Sequence, residues 1–573
     1  MDHVSFAYRE SKNPSSAVLN DLSLSINEGE FVALIGQNGS GKSTLGKLLN
    51  ALIIPDLGNV FIEGLDTRES ENHPEIRRSI GMIFQRPQDQ IVATTVSEDI
   101  AFGPGNLGLP AREISLRVNE ALEVTGLADF GDRPSYLLSA GETQRVALAG
   151  VLAMRPKCII FDETTAMLDP SGREMVMQRA RALNDQRITI IFITHLMEEA
   201  AQANRVLVLD HGQIVMDDSP AEVFSSVSSI RSFGLDLPPV ALAVERLRKY
   251  FPSIPNNILQ INDLLRNLPI YSGKKKERAP TKTKDKAHPS CIEVEDLSHI
   301  YLRGTPLAHQ SLDHCSLRVA EGNAHGLIGA TGSGKSTLLQ HLNGLITPQS
   351  GKVKILGHSL IDPHLDIKAL RKSVGLVFQQ PEDQIFEQYV GDEIAFAARN
   401  FSIPGKISEI VQSAMEAVGL DFIAFKDRLT STLSGGERRK VALASVLAGQ
   451  PQVLLLDEPL AGLDPVSRSE ITSYLAELKK NGKTLIISTH QFEGVVELMD
   501  EISVMANGKD LVHGTPGKIF SNASVMEVSG IKAPLIASIV RHLRKLKWPI
   551  STEIITFADL ESSLSCIFDE VAE

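Results

Sequence analysis

The feature that most constrains this chain is an internal duplication that spans most of its 573 residues. The segment GQNGSGKST (36–44) returns as GATGSGKST (329–337), and FQRPQDQI (84–91) returns as FQQPEDQI (378–385). The order of the repeated segments never changes, and each lies 293 to 295 residues beyond its counterpart. Self-similarity of this kind is typical of tandem copies of one folding unit. We therefore expect two related halves rather than one large fold.

A small region that closes each half belongs to the duplication, whereas the stretch between the halves does not. Residues 233–265 resemble residues 529–560. The unrepeated stretch, 269–291, is rich in lysine and has few large apolar side chains. Such a segment buries too little surface to fold alone, so we expect a flexible basic linker, with contact to anionic lipid head groups as the alternative.

The composition excludes several classes of protein. No apolar stretch of roughly 18 residues occurs, so the sequence predicts no membrane-spanning helix, and the first residues do not resemble a secretory signal. Cys158, Cys291, Cys315 and Cys566 form no C-x-x-C pair, which argues against a disulfide scaffold and a structural zinc site. The net charge of −13 disfavours broad nucleic-acid binding. We expect a soluble, cytosolic, multidomain chain without a nucleic-acid partner.

Uninterrupted apolar runs indicate buried strands in both halves. FVALI (31–35) and CIIF (158–161) in the first half contain no charged side chain, and the second half repeats this pattern. Such runs are typical of parallel strands that helices cover on both faces. Residues 113–127 and 406–420 have the spacing of amphipathic helices. We predict an α/β fold with a P-loop core in each half.

Each half contains the pattern G-x-x-x-x-G-K-[ST], which fits a nucleoside triphosphate. Its glycines let backbone N–H groups surround phosphate oxygens, and the following helix N-terminus adds partial positive charge. We predict that Lys42 and Lys335 reach the β- and γ-phosphates, and that Ser43 and Ser336 ligate Mg²⁺. The predicted ATP-binding residues of the two loops are Gly36, Asn38, Gly39, Ser40, Gly41, Lys42, Ser43, Thr44, Gly329, Thr331, Gly332, Ser333, Gly334, Lys335, Ser336 and Thr337.

An Asp-Glu pair follows a later apolar run in each half, at the strand end where ligands bind in open α/β sheets. We predict that Asp162 and Asp457 hold Mg²⁺ through water. Glu163 and Glu458 are predicted to orient or deprotonate the attacking water.

A histidine and a glutamine recur at equivalent places in the two halves. His195 and His490 follow another apolar run and a threonine. A lone histidine there is more often structural, but the repeated placement favours a catalytic role through a hydrogen bond to the γ-phosphate. Gln85 and Gln379 lie in the distinctive pattern FQ-x-P-x-D-Q-I.

Each half also contains a second glycine-rich segment, LSAGE (138–142) or LSGGE (433–437). A P-loop that binds one nucleotide by itself does not require a second glycine-rich helix N-terminus. We expect the N–H groups of each segment to donate to the γ-phosphate of the nucleotide that is bound by the opposite half. With MLD (167–169) and GLD (462–464), the motifs resemble those of ATP-binding-cassette (ABC) ATPases, in the same order: Walker A, Q-loop, signature, Walker B, D-loop and switch histidine. A kinase or another metabolic P-loop enzyme does not explain LSxGE.

The resemblance implies two tandem ABC ATPase cassettes, each with a helical signature subdomain and a small C-terminal accessory region. In these terms we predict a first cassette at 1–225, a first accessory region at 226–268, the basic linker at 269–291, a second cassette at 292–522 and a second accessory region at 523–573.

The resemblance also implies a head-to-tail sandwich with two shared ATP sites, so that neither half hydrolyses ATP alone. Lys42, Ser43, Gln85, Asp162, Glu163 and His195 would face Ser434, Gly435 and Gly436, and Lys335, Ser336, Gln379, Asp457, Glu458 and His490 would face Ser139 and Gly141. Gln85 and Gln379 would join the magnesium ligands. Tyr8 and Tyr301 match the aromatic residue that stacks on adenine in this family, with an ordinary strand tyrosine as the alternative.

The first half departs from the family pattern at two positions. Ala140 replaces the glycine after the signature serine, and Thr164 replaces the proline after the catalytic glutamate. Alanine adds a methyl group where the γ-phosphate approaches, and it disfavours a positive φ. We therefore expect the site built on Lys335 and Ala140 to turn over more slowly than the site built on Lys42 and Gly435.

The P-x-D-Q continuation of both Q-loops resembles energy-coupling-factor importers, which take up vitamins and transition-metal ions such as cobalt or nickel. The resemblance implies a peripheral ATPase at the cytoplasmic face of the cell membrane, bound to a transmembrane scaffold protein and a substrate-binding membrane protein. Acidic residues after the Q-loops are expected to meet basic scaffold side chains, with solvated loop charges as the alternative. These residues are Asp89, Glu98, Asp99, Glu382, Asp383, Asp392 and Glu393. A soluble tandem ATPase that acts on ribosomes or nucleic acid is the second interpretation.

Overall fold

The computed structural model describes the chain except for residues 9–16, 166, 167, 169, 272–288, 306, 307, 462, 464, 491–493, 530, 532 and 573. The chain divides into two compact units, Met1–Arg248 with Ser253–Arg266, and Lys249–Pro252 with Asn267–Glu573. Each unit contains one copy of the repeated motifs, as the duplication predicts. Most of the predicted basic linker and most of both D-loops lie outside the described residues.

The first unit follows the order of an α/β domain. Its strands are β1 (Asp2–Phe6), β2 (Leu19–Leu22), β3 (Phe31–Ile35), β4 (Leu57–Asn59), β5 (Phe61–Ile62), β6 (Leu65–Asp66), β7 (Ile80–Ile83), β8 (Cys158–Asp162), β9 (Thr189–Ile193), β10 (Arg205–Asp210) and β11 (Gln213–Asp218). Its helices are α1 (Lys42–Leu49), α2 (His73–Ser79), α3 (Val96–Asn106), α4 (Ala111–Thr125), α5 (Ala140–Ala153), α6 (Pro170–Asp185), α7 (Met197–Ala200), α8 (Pro220–Ser225), α9 (Val227–Ser232), α10 (Pro239–Leu247) and α11 (Ile261–Arg266).

The second unit repeats this order. Its strands are β12 (Ser290–Tyr301), β13 (His309–Ala320), β14 (Ala324–Ile328), β15 (Ser350–Ile355), β16 (His358–Ser359), β17 (Val374–Val377), β18 (Val453–Asp457), β19 (Thr484–Thr489), β20 (Glu501–Ala506) and β21 (Lys509–Gly514). Its helices are α12 (Lys335–Leu342), α13 (Ile367–Ser373), α14 (Val390–Asn400), α15 (Ile407–Ala417), α16 (Phe422–Phe425), α17 (Gly435–Leu447), α18 (Pro465–Lys480), α19 (Pro516–Ser521), α20 (Ala523–Ser529), α21 (Leu535–Lys545) and α22 (Phe557–Ala572).

A six-stranded sheet forms the centre of each unit, in the order β11-β10-β3-β9-β8-β7 in the first unit and β21-β20-β14-β19-β18-β17 in the second. Neighbouring strands run parallel, apart from the outermost β11 and β21, which pair antiparallel. All side chains of β3 and β14 are buried, which confirms the strands predicted from apolar runs. Because parallel strands end at one edge, the loops after β3, β8 and β9 meet there.

A smaller antiparallel sheet covers one face of each central sheet, and the sequence did not predict it. Its order is β2-β1-β4 in the first unit and β13-β12-β15-β16 in the second. In the first unit, Val4 and Leu22 of this sheet share a core with Leu34 of β3 and Leu45 of α1. The first phosphate-binding helix is thereby packed between two sheets.

Three helices form the signature subdomain of each unit. Helices α3, α4 and α5 share a core that includes Ile100, Leu122 and Val146. Helices α14, α15 and α17 bury Ile394, Met415 and Val441 in the same way. Helices α4 and α15 lie within the two segments whose spacing predicts amphipathic helices.

The accessory regions are helical, and one short piece of the first region belongs to the second unit. Within that unit, the ring of Phe251 lies 5.1 Å from the ring of Trp548, and Trp548 Nε1 donates to the carbonyl of Pro269 at 2.7 Å. Tyr250 Oη donates to the carbonyl of Glu561 at 3.1 Å. The region predicted at 226–268 is therefore divided between the two units.

Within the part of the chain that the structure describes, no helix combines the length and the apolar character that a bilayer span requires.

Candidate active site

The loop between β3 and α1 has a shape that glycine alone permits. Gly41 has a φ of 105°, in the region that side chains avoid. A Cβ at Gly36 would lie 2.2 Å from the carbonyl oxygen of Leu209. Gly334 and Gly329 repeat these constraints in the second unit, with a φ of 100° and a clash at 2.4 Å. Both loops therefore curl tightly, with helix N-termini behind them, as phosphate binding requires.

The lysine of each loop is folded back over it. Lys42 Nζ donates to the carbonyls of Gly36 and Gln37 at 2.9 and 2.8 Å, and only 4% of the residue is exposed. Lys335 Nζ makes the equivalent bonds at 2.7 and 2.9 Å. Burial lowers the pKa of Lys42, whereas the nearby Glu163 and Asp162 act in the opposite sense. A buried ammonium group in this position is ready to exchange carbonyl oxygens for phosphate oxygens.

A hydroxyl and a carboxylate meet beside each lysine. Ser43 Oγ donates to Asp162 Oδ1 at 2.9 Å, and Asp457 accepts from the hydroxyls of Ser336 and Ser488. Burial is the largest influence on both aspartates and raises their pKa, although these hydrogen bonds oppose the shift. Oxygen ligands of this kind, with negative charge in a buried place, fit Mg²⁺. The serine and aspartate predicted to hold Mg²⁺ are thus brought together in each unit, whereas Gln85 hydrogen-bonds to Glu163 instead.

The two catalytic glutamates have the same strained backbone. Glu163 and Glu458 follow β8 and β18 with φ values of 48° and 50°, which are uncommon for residues with a side chain. Their N–H groups donate to the neighbouring strand, to the carbonyls of Ile193 and Ser488 at 3.0 and 3.1 Å. The sheet therefore holds each carboxylate at the edge beside the phosphate loop.

The partners of the two glutamates differ. Glu163 Oε2 accepts from Gln85 Nε2 at 2.7 Å and lies 4.0 Å from His195 Nδ1. Glu458 Oε1 lies 2.6 Å from His490 Nδ1 and accepts from the His490 N–H at 3.0 Å. Burial raises the pKa of Glu163, which Lys42 opposes. The structure thus brings glutamate, glutamine and histidine together in the first unit, and glutamate and histidine in the second.

Each signature motif begins a helix with a reciprocal capping box. Ser139 Oγ accepts from the Glu142 N–H at 3.3 Å, and Glu142 Oε2 accepts from the Ser139 N–H at 2.7 Å. Ser434 and Glu437 repeat this pattern at 3.3 and 2.7 Å. The glutamate that ends both signatures therefore has a structural role. The S-x-x-E spacing was the signal in the sequence.

The backbone at the signature glycine does not need a positive φ, so the expected backbone penalty for Ala140 is wrong. Gly435 is the first residue of α17, its φ is not positive, and an added Cβ would contact no atom within 4 Å. Alanine at position 140 is therefore not disfavoured by the backbone. Only its methyl group remains as a reason for different turnover.

Two buried side chains that the sequence pattern does not reveal hold the segments after the catalytic strands. Gln144 Nε2 donates to the carbonyl of Thr164 at 2.5 Å in the first unit. At the equivalent position, Arg439 donates to the carbonyls of Glu458 and Gln379, the latter at 2.8 Å. Arg439 thus joins the Walker B glutamate to the Q-loop.

The predicted adenine-stacking tyrosines lie next to the phosphate-binding helices. Tyr8 Oη is 3.3 Å from Thr44 Oγ1, and Tyr301 Oη is 3.3 Å from Thr337 Oγ1. Both rings are partly exposed. Stacking on adenine stays a prediction, and so does the pairing of each phosphate loop with the signature of the other half.

Comparisons with known proteins agree with this geometry. Residues 19–166 and 312–461 match the family model described as ABC transporter. A protein of Methanosarcina mazei named "Putative ABC transporter ATP-binding protein" is 33% identical, over 98% of this chain and 96% of its own length. The energy-coupling factor transporter ATP-binding protein EcfA1 of Caldanaerobacter subterraneus is 47% identical, over 46% of this chain and 95% of its own length.

Among solved structures, cbiO1 of Clostridium perfringens, part of the ABC transporter complex cbiONQ, is 34% identical. It covers 44% of this chain and 99% of its own, with a TM-score of 0.37. The family match in both halves and the observed sheets confirm the two predicted ABC ATPase cassettes. The chain belongs to the ABC transporter family, as an ATP-binding subunit that hydrolyses ATP to drive transport.

Proposed function

We propose that this subunit powers an importer of the energy-coupling-factor type, for a vitamin or a transition-metal ion, from the cytoplasmic face of the cell membrane. In this proposal it binds a transmembrane scaffold protein, which is joined by a substrate-binding membrane protein. The identity with EcfA1 over about half of the chain supports this assignment. The observation that carries it is a repeated apolar surface beside the two Q-loops.

A buried carboxylate fixes the loop that follows each Q-loop. Asp99 Oδ1 accepts from the N–H groups of Val92 and Ala93 at 2.7 and 3.0 Å. Glu393 Oε2 accepts from the N–H groups of Phe386 and Glu387 at 3.0 and 2.9 Å. These bonds hold the loop so that Val92 and Phe386, at equivalent positions, are each 63% exposed.

Further apolar side chains extend this surface. Phe396 is 42% exposed, and its ring packs edge-to-face on that of Phe386 at 4.8 Å. Phe102, at the position equivalent to Phe396, is 54% exposed. Fixed aromatic groups in water favour burial against a partner. A short apolar helix of a membrane scaffold, with a basic residue near the exposed Asp89 or Asp383, has the matching chemistry.

The expected role in an acidic docking surface is wrong for Asp99 and Glu393. Asp99 and Glu393 are 9% and 2% exposed and are engaged by backbone N–H groups, so they cannot meet a partner. Glu98 caps α3, Asp392 pairs with Arg399 at 3.1 Å, and Glu382 pairs with Arg438 at 3.0 Å. Two of the seven acidic side chains are therefore unavailable to a partner, and three others already have partners within the chain.

We propose that the two cassettes close head to tail during catalysis, with each signature helix covering the phosphate loop of the other cassette. Glu163 and Glu458 then take up the proton of an attacking water at a carboxylate oxygen, while His195 and His490 position it. Lys42 and Lys335 bind phosphate oxygens of ATP. Mg²⁺, held by Ser43 with Asp162 and by Ser336 with Asp457, would neutralise charge on the phosphates.

The test is affinity purification of the tagged full-length chain from detergent-solubilised membranes of its own cells, followed by identification of bound proteins. We expect a transmembrane scaffold protein and a small membrane protein to be recovered. Val92→Asp with Phe386→Asp should reduce their recovery at least tenfold, because each charge would be buried at the contact.

Leu57→Asp provides the matched control, because Leu57 is 67% exposed on β4, in the small antiparallel sheet and not in the apolar surface beside the Q-loop. It should leave recovery unchanged. Recovery of ribosomes without membrane proteins would contradict the proposal and support the second interpretation. Normal recovery with the double variant would show that the Q-loop surface is not the docking site.

A further inference from the structure

Three potential metal ligands meet on the central sheet of the second cassette, away from its phosphate loop. His325 lies on β14, Glu501 on β20 and His513 on β21. One ligand atom from each lies within 4.8 Å of the others. Sheet register explains this, because His325 pairs with Glu501, and Ser503, two residues further on, pairs with His513.

His325 is an unusual residue for the centre of a sheet. It is fully buried, and Nε2 lies 3.0 Å from Ser503 Oγ, whereas Nδ1 has no hydrogen-bond partner among the described residues. A buried polar atom without a partner is costly. The bland alternative, a hydrogen-bonded core histidine, accounts for only one of its two nitrogens.

The other two ligands reach the surface. His513 Nε2 lies 3.6 Å from Glu501 Oε2, and their side chains are 46% and 36% exposed. The rings of His513 and His325 are stacked, with centroids 5.4 Å apart. Tetrahedral coordination at bond lengths of about 2.0–2.1 Å needs ligand atoms about 3.3 Å apart, so the three must approach each other. The exposed His513 and Glu501 have room to make that movement.

In the first cassette, an arginine side chain lies at the equivalent position of the sheet. Arg205 and Asp217 stand at the positions of Glu501 and His513, and Arg205 Nε donates to Asp217 Oδ1 at 2.6 Å. Arg205 also pairs with Glu30 at 3.2 Å. In the second cassette an acid replaces the arginine, and Val32 is replaced by His325. The arginine of the first cassette therefore has no counterpart at this point of the sheet in the second.

We infer that His325, Glu501 and His513 form a binding site for a divalent transition-metal ion such as Zn²⁺, Co²⁺ or Ni²⁺. Two imidazoles and one carboxylate suit these ions and leave a coordination position open to water. The site joins three strands, and Gly329 of the phosphate loop lies four residues after His325, directly beyond the end of β14. Binding would therefore stiffen the sheet behind the second ATP site. This inference does not depend on the proposed transporter type or membrane partners.

The test uses the full-length chain, freed of nucleotide and treated with a chelator, and Co²⁺ or Zn²⁺ alone as the probe. We expect one Co²⁺ per chain with visible d–d absorption, and Zn²⁺ should displace it. His513→Ala and Glu501→Gln should each weaken binding at least tenfold, because each removes one of three protein ligands.

A matched control is His314→Ala, because His314 forms an exposed pair with Asp296 at 2.6 Å on the same unit and belongs to no cluster of three converging ligand atoms among the described residues. Its affinity and spectrum should equal those of the parent chain. Both altered side chains of the site are partly exposed, so circular dichroism should confirm unchanged folding. Failure to bind Co²⁺, or equal binding by His513→Ala, Glu501→Gln and the parent, would overturn the inference.

Discussion

The two cassettes place the same threonine in different hydrogen bonds, and this changes what surrounds the catalytic glutamate. In the second cassette, Thr489 Oγ1 donates to Glu458 Oε2 at 3.2 Å. In the first, the equivalent Thr194 donates instead to Glu199 Oε2 at 2.5 Å. Thr165 donates to the same oxygen at 2.9 Å.

The difference follows from one position. Glu199 is buried on α7, and its counterpart in the second cassette is Gly494, which has no side chain. The extra carboxylate engages Thr194 and leaves Glu163 with Gln85 of the Q-loop. Glu458 instead is held by Thr489 and His490. A single buried acid thus makes two nearly identical sequence motifs into different sites.

The largest expected effect is on turnover. Glu163→Gln should lower kcat about 10³-fold, whereas Glu458→Gln should lower it less than about tenfold. Glu458 already accepts several hydrogen bonds, and the signature predicted to cover its site contains the methyl group of Ala140. Steady-state ATP hydrolysis by the full-length chain measures both. This contrast corresponds to about 3 kcal/mol in activation free energy.

The control for this contrast is the exchange of signature residues. Ala140→Gly should raise the turnover that remains in Glu163→Gln, because the methyl group is then gone. Equal losses in Glu163→Gln and Glu458→Gln would remove the case for unequal sites.

Glu199 should make the stability of the first cassette depend on pH. Burial raises the pKa of Glu199 to about 7, from a reference value of 4.5. Between pH 4.5 and 7 the unfolded carboxyl is ionised while the folded one is still protonated, so the unfolded state binds fewer protons. The free energy of unfolding therefore falls as pH rises through this window, by an amount on the order of 3 kcal/mol, and levels off above it.

Thermal unfolding of the parent and of Glu199→Gln at several pH values tests this. Glutamine keeps an acceptor for both threonines but cannot ionise. The Tm of the variant relative to that of the parent should therefore rise by about 5 °C between pH 5 and pH 8. Glu198→Gln removes a neighbouring exposed carboxyl and should behave as the parent does. If the difference in Tm between Glu199→Gln and the parent were the same at every pH, the pKa of Glu199 would not be raised by folding.

Arg439, which has Gln144 as its counterpart in the first cassette, should affect the stability of the second cassette alone. Arg439→Gln removes the bond to the Gln379 carbonyl, because glutamine is too short to reach both carbonyls that arginine bridges. A buried acceptor without a partner costs about 2 kcal/mol, so unfolding of the second cassette should occur about 5 °C lower. Arg438→Gln, which affects the exposed pair with Glu382, should change it by less than about 2 °C. An equal fall in Tm for Arg439→Gln and Arg438→Gln would show that the hydrogen bonds of Arg439 do not stabilise the cassette more than a surface ion pair does.

The sequence was sufficient for the parts of the site that depend on local chain geometry. Gly41 and Lys42 are fixed by a loop motif whose backbone shape is the same wherever it occurs, and the buried runs of β3 and β8 identify the central sheet. The glutamates at 163 and 458 follow directly from the ends of such strands. These features need no knowledge of contacts distant in the chain.

Other parts depend on contacts that spacing does not reveal. Thr194 was visible beside His195, but its choice between Glu163 and Glu199 depends on where α7 packs. Arg439 resembles an ordinary signature-helix residue until the fold places it against the Q-loop. The small antiparallel sheets were missed because their short, mixed strands lack the apolar runs that identify the central sheet.

The smallest effect concerns a feature that the two cassettes share, the glutamate that closes each signature capping box. Glu142→Ala and Glu437→Ala should each cost about 1 kcal/mol, because the N–H of Ser139 or Ser434 loses its acceptor. Glutamine retains a side-chain acceptor, so Glu142→Gln and Glu437→Gln should cost far less. Hydrogen exchange at the first turns of α5 and α17 measures this directly, with about fivefold faster exchange expected for alanine. Glu437 lies 2.8 Å from Arg428, whereas Glu142 lies 3.1 Å from Arg133. The loss of stability on substitution by alanine should therefore be slightly larger in the second cassette. Equal exchange in the alanine and glutamine variants would mean that the carboxylates act by charge alone and not as caps.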